Sequence, residues 1–236
     1  NVAPQIVDAE LTESINENEE VELTGRIVDP GSADTFTLTI DWGEGDPQII
    51  HLNGTPINDN GIIWNPDDRT FSVKHRYVDD DPTGTPSDVY TVQFTVTDDD
   101  GGSDSSALDT TVNNVAPHTV TIDGAPTSVP EGQEVSLTST VIDASPNDTF
   151  TYLWTVTASN GQIIADGIGP DFSFTPNDNA SAGPNPATYT VNLKVTDDDG
   201  GVAHAESNVI SVIDVPPTVP LTGAESIDEN QWYSLT

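Results

Sequence analysis

Residues 90–102 read YTVQFTVTDDDGG, and residues 189–201 read YTVNLKVTDDDGG. In both stretches large apolar residues alternate with polar ones, the period of two that gives a strand one buried and one solvated face. The Asp-Asp-Asp-Gly-Gly that follows is turn chemistry: aspartate bonds its own backbone, and Gly101-Gly102 and Gly200-Gly201 supply the positive φ of a tight hairpin. A strand and turn repeated this closely make self-similarity the first property to trace along the chain.

The repeat extends in both directions. Asn1-Val2-Ala3-Pro4 returns as Asn114-Val115-Ala116-Pro117 and, altered, as Asp214-Val215-Pro216-Pro217. The block from Ser14-Ile15-Asn16-Glu17 to Thr24 returns from Ser128-Val129-Pro130-Glu131 to Thr138, and a third time from Ser226 to Thr236. Asp34-Thr35-Phe36-Thr37 matches Asp148-Thr149-Phe150-Thr151. Four blocks in one order divide the chain into a first repeat over residues 1–113, a second over 114–214, and the start of a third over 215–236. The third piece is too short to bury a core alone, so the chain reads as a window on a longer array. Val21, Leu23 and Ile27 alternate with polar residues; Phe36, Leu38, Ile40 and Trp42 share a parity, as do Phe150, Tyr152, Trp154 and Val156. About seven short strands per repeat, with a Trp on the third and a Tyr opening the sixth, predict an all-β fold of tandem immunoglobulin-like β-sandwich domains.

The first repeat resembles the polycystic-kidney-disease (PKD) type of domain. The resemblance rests on Asp41-Trp42-Gly43-Glu44-Gly45, His75-Arg76-Tyr77, Tyr90-Thr91-Val92 and Asp98-Asp99-Asp100-Gly101. The second repeat keeps Tyr189-Thr190-Val191 and Asp197-Asp198-Asp199-Gly200, but has Thr155-Val156-Thr157-Ala158 in place of the Trp-Gly turn and lacks the His-x-Tyr. What the resemblance implies is a PKD-like repeat of a large bacterial surface protein, or an accessory module beside a secreted hydrolase.

Composition narrows the function. Forty acidic residues against five basic ones, a formal charge of −35, exclude nucleic-acid binding and docking on anionic membranes. There is no Cys, hence no disulfide or thiolate site, and no apolar run long enough to span a bilayer. An extracellular protein without disulfides calls for another staple, and calcium suits the acidic loops. In an immunoglobulin-like topology Asp29 and Asp34 meet Asp98 and Asp100 at the upper pole of repeat one, and Asp143 and Asp148 meet Asp197 and Asp199 at that of repeat two. Glu17, Asp79, Asp80 and Asp81 lie at the lower pole of repeat one, with Asn114 in the linker between the two groups. Six or more oxygens converging on one junction is a calcium coordination set, and the layout resembles, in topology alone, the interdomain calcium sites of cadherins. The competing reading is a solvated acidic surface, of the kind a saline habitat favours. Neither Asp-rich turn has the spacing of an EF-hand.

No catalytic constellation is present. His51, His75, His118 and His204 occupy no common repeat position, and His75 is a strand residue of the PKD-like motif. Trp64, in a long stretch without a counterpart in repeat two, either stacks on a sugar ring or caps the sandwich edge, while Trp42 and Trp154 have core parity. Asn53, Asn147 and Asn179 fit the glycosylation acceptor pattern. The expected function is that of a non-enzymatic, calcium-stiffened spacer, stalk or fibre-forming segment on a bacterial cell surface. Its partners would be neighbouring repeats or subunits, head to tail. The alternative is a glycan-binding accessory module of a secreted polysaccharide-degrading enzyme.

Overall fold

The computed structural model describes residues 1–177, 186–216, 218, 229, 230 and 232. Every regular element among them is a strand. In repeat one, β1 (Gln5–Leu11), β3 (Glu20–Val28), β8 (Thr70–Arg76), β7 (Ile62–Asn65) and β6 (Ile57–Asp59) form one sheet in that order. The facing sheet runs β2 (Ser14–Asn16), β10 (Ser103–Asn113), β9 (Ser87–Asp98), β4 (Phe36–Asp41) and β5 (Gln48–Leu52). Repeat two has β11 (Thr119–Asp123), β13 (Val135–Ile142) and β15 (Asp171–Phe174) in one sheet. Opposite lie β12 (Ser128–Pro130), β18 (Ile210–Ile213), β16 (Thr188–Thr196) and β14 (Thr151–Ala158), with β17 (Val202–Glu206) paired to β16. Each repeat opens with a strand that changes sheets: β1 and β11 pair antiparallel with β3 and β13, whereas β2 and β12 pair parallel with β10 and β18.

Among the described residues there are ten strands in repeat one and eight in repeat two, where the sequence predicts about seven each. The split first strand adds one to each. In repeat one the irregular stretch after Trp42 is itself β: β5 covers the edge of β4, and β6–β7 is a hairpin added to the other sheet. Among the described residues β14 has no such neighbour beyond a single bridge between Trp154 and Gly167. Accordingly Phe36, Leu38, Ile40 and Trp42 are all buried, whereas of Phe150, Tyr152, Trp154 and Val156 only Trp154 is fully so.

The cores follow the alternation. Tyr90, Val92, Phe94 and Val96 point inward on β9, as do Tyr189, Val191, Leu193 and Val195 on β16. The same parity carries Asp98 and Asp197 inward at the end of each run, so the first aspartate of each turn is buried. The two glycines that follow have different tasks. Gly101 and Gly200 take φ of 91° and 93°, as a tight turn requires. Gly102 and Gly201 do not; they leave room for the buried carboxylate. A Cβ on Gly102 would stand 2.7 Å from Asp98 Oδ2 and 2.8 Å from Ala3 Cα, and one on Gly201 would collide with Asp197 Oδ2.

An aromatic ladder fixes the lower pole of repeat one. His75 stacks on Trp42 at 4.7 Å, and Tyr77 meets the His75 ring edge-on. His75 Nε2 lies 2.8 Å from Glu44 Oε1. The buried Tyr77 hydroxyl donates to Trp42 O at 2.6 Å, and Tyr77 O accepts from the Asn18 N–H at 2.7 Å. One residue thus ties the Trp-Gly turn, the β2–β3 loop and the start of the β8–β9 loop. Tyr77→Phe keeps the ring and strands the Trp42 carbonyl. We expect it to destabilise repeat one by about 1–3 kcal/mol, read as a lower urea midpoint at unchanged slope.

Candidate metal centre

The lower pole of repeat one faces the upper pole of repeat two, and carboxylates line both sides. On the first side, Glu17 is buried in the β2–β3 loop. Its N–H donates to Asn113 O at 2.9 Å, and its Oε1 accepts from the Val115 N–H at 2.9 Å, so the linker holds one oxygen and leaves Oε2 without a partner. Asp79 and Asp80 follow the Tyr77 anchor; Asp79 Oδ1 accepts from the Asp80 N–H at 3.0 Å. Asp80 is fully buried and neither of its carboxylate oxygens has a partner.

On the second side, Asp143 Oδ1 accepts from the Ala144 N–H at 2.7 Å, leaving Oδ2 bare. Both oxygens of Asp148 are bare. Asp197 Oδ1 accepts from Gly201 N–H and from Asn114 Nδ2, while Asp197 Oδ2 and Asn114 Oδ1 remain free. Oxygens of Glu17, Asp79 and Asp80 approach within 4.8 Å of one another, and so do those of Glu17, Asp143 and Asp148. Glu17 belongs to both groups and joins the two repeats.

Ten buried side-chain polar atoms lack a hydrogen-bond partner among the described residues, and eight of them are these junction oxygens. Buried oxygens are normally paired. The ion pairs among the described residues are Arg26–Asp8, His75–Glu44 and Arg76–Glu20, and none reaches the junction. Burial and mutual repulsion therefore outweigh the hydrogen bonds that favour the charged forms and the pull of His118 on Asp143. Glu17 is pushed up to about 8 by burial and then by Asp148, Asp143 and Asp80. Asp80 rises to about 7 through burial and Asp199. Asp148 rises to about 7 through burial and Asp143, and Asp199 to about 6 through burial and Asp198. Asp79 and Asp143 are raised as well, burial being the largest cause. Oxygen-only donors, six to eight of them, are what calcium takes, and the bare oxygens here fit that ion.

The upper pole of repeat one repeats the second side. Asp29, Asp34 and Asp98 have oxygens within 4.8 Å of one another. Asn1 Nδ2 donates to both Asp98 oxygens at 3.1 and 2.9 Å, in the place Asn114 takes beside Asp197. That contact holds the Asp98 carboxyl below its ordinary range, while burial and Asp29 raise Asp34. Four expected carboxylate ligands, Asp81, Asp100, Asp197 and Asp199, stand outside these groups. Asp81 is exposed and acts on Asp79 through charge alone. Asp100 is exposed too, whereas its counterpart Asp199 is buried against the Asp79–Asp81 loop of the other repeat. Asn1 and Asn18 are the participants that sequence reasoning passed over. Asn1 was signalled by its alignment with Asn114.

Trp64 does not present a sugar platform. Its ring is buried beside Phe71, and its indole N–H donates to Asn53 O at 2.7 Å; it closes the sandwich at the β6–β7 hairpin. Asn53 and Asn147 are exposed on loops, and Asn179 lies outside the described residues.

No curated protein matches the chain. Residues 113–210 match the model of a family described as a bacterial Ig domain. Among solved structures, the chain is similar to a complex of Dpr2 Ig1–Ig2 with DIP-Theta Ig1–Ig3, at 14% identity and a TM-score of 0.35. That match covers 90% of this chain and 66% of the other. It is also similar to the FN1–FN3 domains of chicken CNTN1, at 15% identity and a TM-score of 0.27, covering 91% of this chain and 69% of the other. Over residues 113–210 the strand topology and the family match agree on an immunoglobulin-like domain.

Proposed function

We propose that the chain is a calcium-stiffened spacer or stalk segment of a bacterial surface protein, in which ions at the junction lock successive sandwiches into a rod. The observation that carries this reading is the set of buried, partnerless oxygens contributed by both repeats to one joint, with no lysine or arginine among them. Calcium satisfies such oxygens without the near-ideal octahedral water shell that magnesium demands. Glu17 with Asp79 and Asp80, and Glu17 with Asp143 and Asp148, would be the residues to hold calcium. The Trp42–His75–Tyr77 ladder supports placing repeat one with PKD-type domains.

The poles support a head-to-tail array. The upper pole of repeat one carries the receiving set of Asn1, Asp29, Asp34 and Asp98. At the lower pole of repeat two, Glu131 has the cradle of Glu17: its N–H donates to Ile213 O at 2.9 Å and its Oε1 accepts from Val215 N–H at 3.1 Å. A domain of this kind accepts a mate above and offers one below.

Thermal unfolding against free calcium, with magnesium and sodium at matched ionic strength, tests the reading. We expect a calcium-specific rise, worth about 2.7 kcal/mol per site at about a hundredfold excess over Kd, and its loss in Glu17→Gln. A flat response, or one reproduced by salt, would overturn it.

Protons compete for the same oxygens. The junction carboxyls are raised in the folded state, Glu17 to about 8 and Asp80 and Asp148 to about 7, so between the ordinary carboxylate range and about 8 the native chain binds more protons than the unfolded one. Linkage then makes metal-free stability fall as pH rises through that window. In EDTA the midpoint should climb on acidification from pH 8 towards 5. Calcium affinity should move the other way, weakening as pH falls, with protons released on binding. Midpoints that do not move with pH in EDTA would contradict this.

A further inference from the structure

Outside the linker, one hydrogen bond joins the two sandwiches among the described residues: Asn18 Nδ2 donates to Ala144 O at 2.9 Å. Asn18 follows Glu17, and Ala144 follows Asp143. The Ala144 N–H in turn holds Asp143 Oδ1 at 2.7 Å, leaving Asp143 Oδ2 free beside Glu17. A chain of contacts therefore runs from the Asn18 amide through Ala144 to the Asp143 carboxylate and closes on the residue next to Asn18.

Several features hold the Asn18 amide for this contact. Its backbone is left-handed, φ 59°, a conformation that asparagine tolerates better than most residues. Its N–H is fixed to Tyr77 O at 2.7 Å. Its Oδ1 accepts from Arg76 Nη1 at 3.3 Å, and Arg76 is braced by Glu20 at 3.2 Å. A carbonyl on one side and a guanidinium on the other demand opposite faces of the amide, so its orientation is set. The corresponding residue of repeat two is Gly132. It has φ 73° and the equivalent backbone bond, to Pro176 O at 2.9 Å. A side chain there would meet open space, and the left-handed backbone by itself favours the glycine.

We propose that Asn18 is a positioning residue that sets the orientation of repeat two on repeat one and thereby the place of Asp143 against Glu17. This deepens the junction reading above and rests on it for the link to calcium. It also distinguishes the two lower poles. Repeat one carries the locating amide, while repeat two, with Gly132, offers the Glu131 cradle without it.

Asn18→Gly is the informative variant, because glycine keeps the left-handed backbone and the bond to Tyr77 and removes only the amide. Asn18→Asp keeps an acceptor for Arg76 but turns an acceptor on Ala144 O. Residual dipolar couplings, recorded with calcium and with EDTA, read the relative orientation of the repeats, and calorimetric titration with calcium alone reads affinity. Wild type with calcium should show one alignment for both repeats. Asn18→Gly and Asn18→Asp should show two, with calcium affinity lowered roughly five- to tenfold, as for the loss of one neutral hydrogen bond, and with each repeat's own chemical shifts preserved away from the joint. Gly132→Asn, a control at the other pole, should change neither reading. Unchanged alignment and affinity in Asn18→Gly would overturn the assignment to Asn18 while leaving the calcium junction intact. A wild-type chain that takes up no calcium would instead overturn the junction reading, and loss of common alignment in Asn18→Gly would still support the positioning role.

Discussion

Carboxylates removed from water within 4.8 Å of one another, with no protein cation between them, are the constraint on which this molecule's arrangement turns. Two unit charges 4 Å apart repel by about 4 kcal/mol at an effective dielectric of 20. Such a joint has three ways to persist: open, take up protons, or take up a cation. Opening the joint would free Asp199, which is buried by its neighbour's loop, to become as exposed as Asp100 at the unmated pole. The raised carboxyls of Glu17, Asp80 and Asp148 are the protonic answer. The proposed calcium is the third.

The two repeats solve the same problem around this joint with different interiors. Repeat one uses the Trp42–His75–Tyr77 ladder to hold the turn and the lower loops together. Repeat two lacks those residues and builds a polar network on Tyr189, whose hydroxyl accepts from Asn160 Nδ2 at 2.9 Å and lies against Gln162 and Asn177 O. Trp154 sits at the centre of that core, stacked on Phe172, with its indole N–H donating to Gly169 O at 2.8 Å. What both keep is the end of the F-like strand: Tyr, alternating apolar residues, then an inward aspartate backed by a glycine. Core and ligand cradle are thus one continuous inward face, and substitution can proceed around it without moving the carboxylate.

That continuity explains what could be read from sequence. Parity along residues 90–98 and 189–197 places the apolar side chains and also the first aspartate of each turn on the buried face, and pole assignment brings Glu17, Asp80, Asp143, Asp148 and Asp197 to one joint. Parity ends where the strand ends, so it carries no information on Asp100 and Asp81, whose side chains face solvent. Trp64 was ambiguous because residues 48–65 have no counterpart in repeat two. Only the pairing of β7 with β8 turns the ring inward. Asn18 carried no periodic signal. Its partner is 126 residues away, on a loop of another domain, and nothing local in a sequence encodes a contact of that kind.

The joint also has little else to rely on. Each repeat has its own core, and the buried apolar residues divide between the two without a shared cluster. Covalent linkage through Asn113 and Asn114, the linker bonds to Pro86 O and Glu17, and the Asn18 contact are polar and few. Domains joined in this way are expected to move relative to one another. Under the proposed reading rigidity comes from something that exists only when the poles meet, since Glu17 of repeat one stands with Asp143 and Asp148 of repeat two. A stalk stiffened at its joints by a cation is rigid where the cation is plentiful, and extracellular modules hold calcium with Kd on the order of 10⁻⁴–10⁻³ M. The same chain in a calcium-poor compartment would be a flexible string of folded beads. Under the proposed reading the acidity of the joints is therefore a way of making stiffness conditional on location, with the cores left to keep each bead folded in either state.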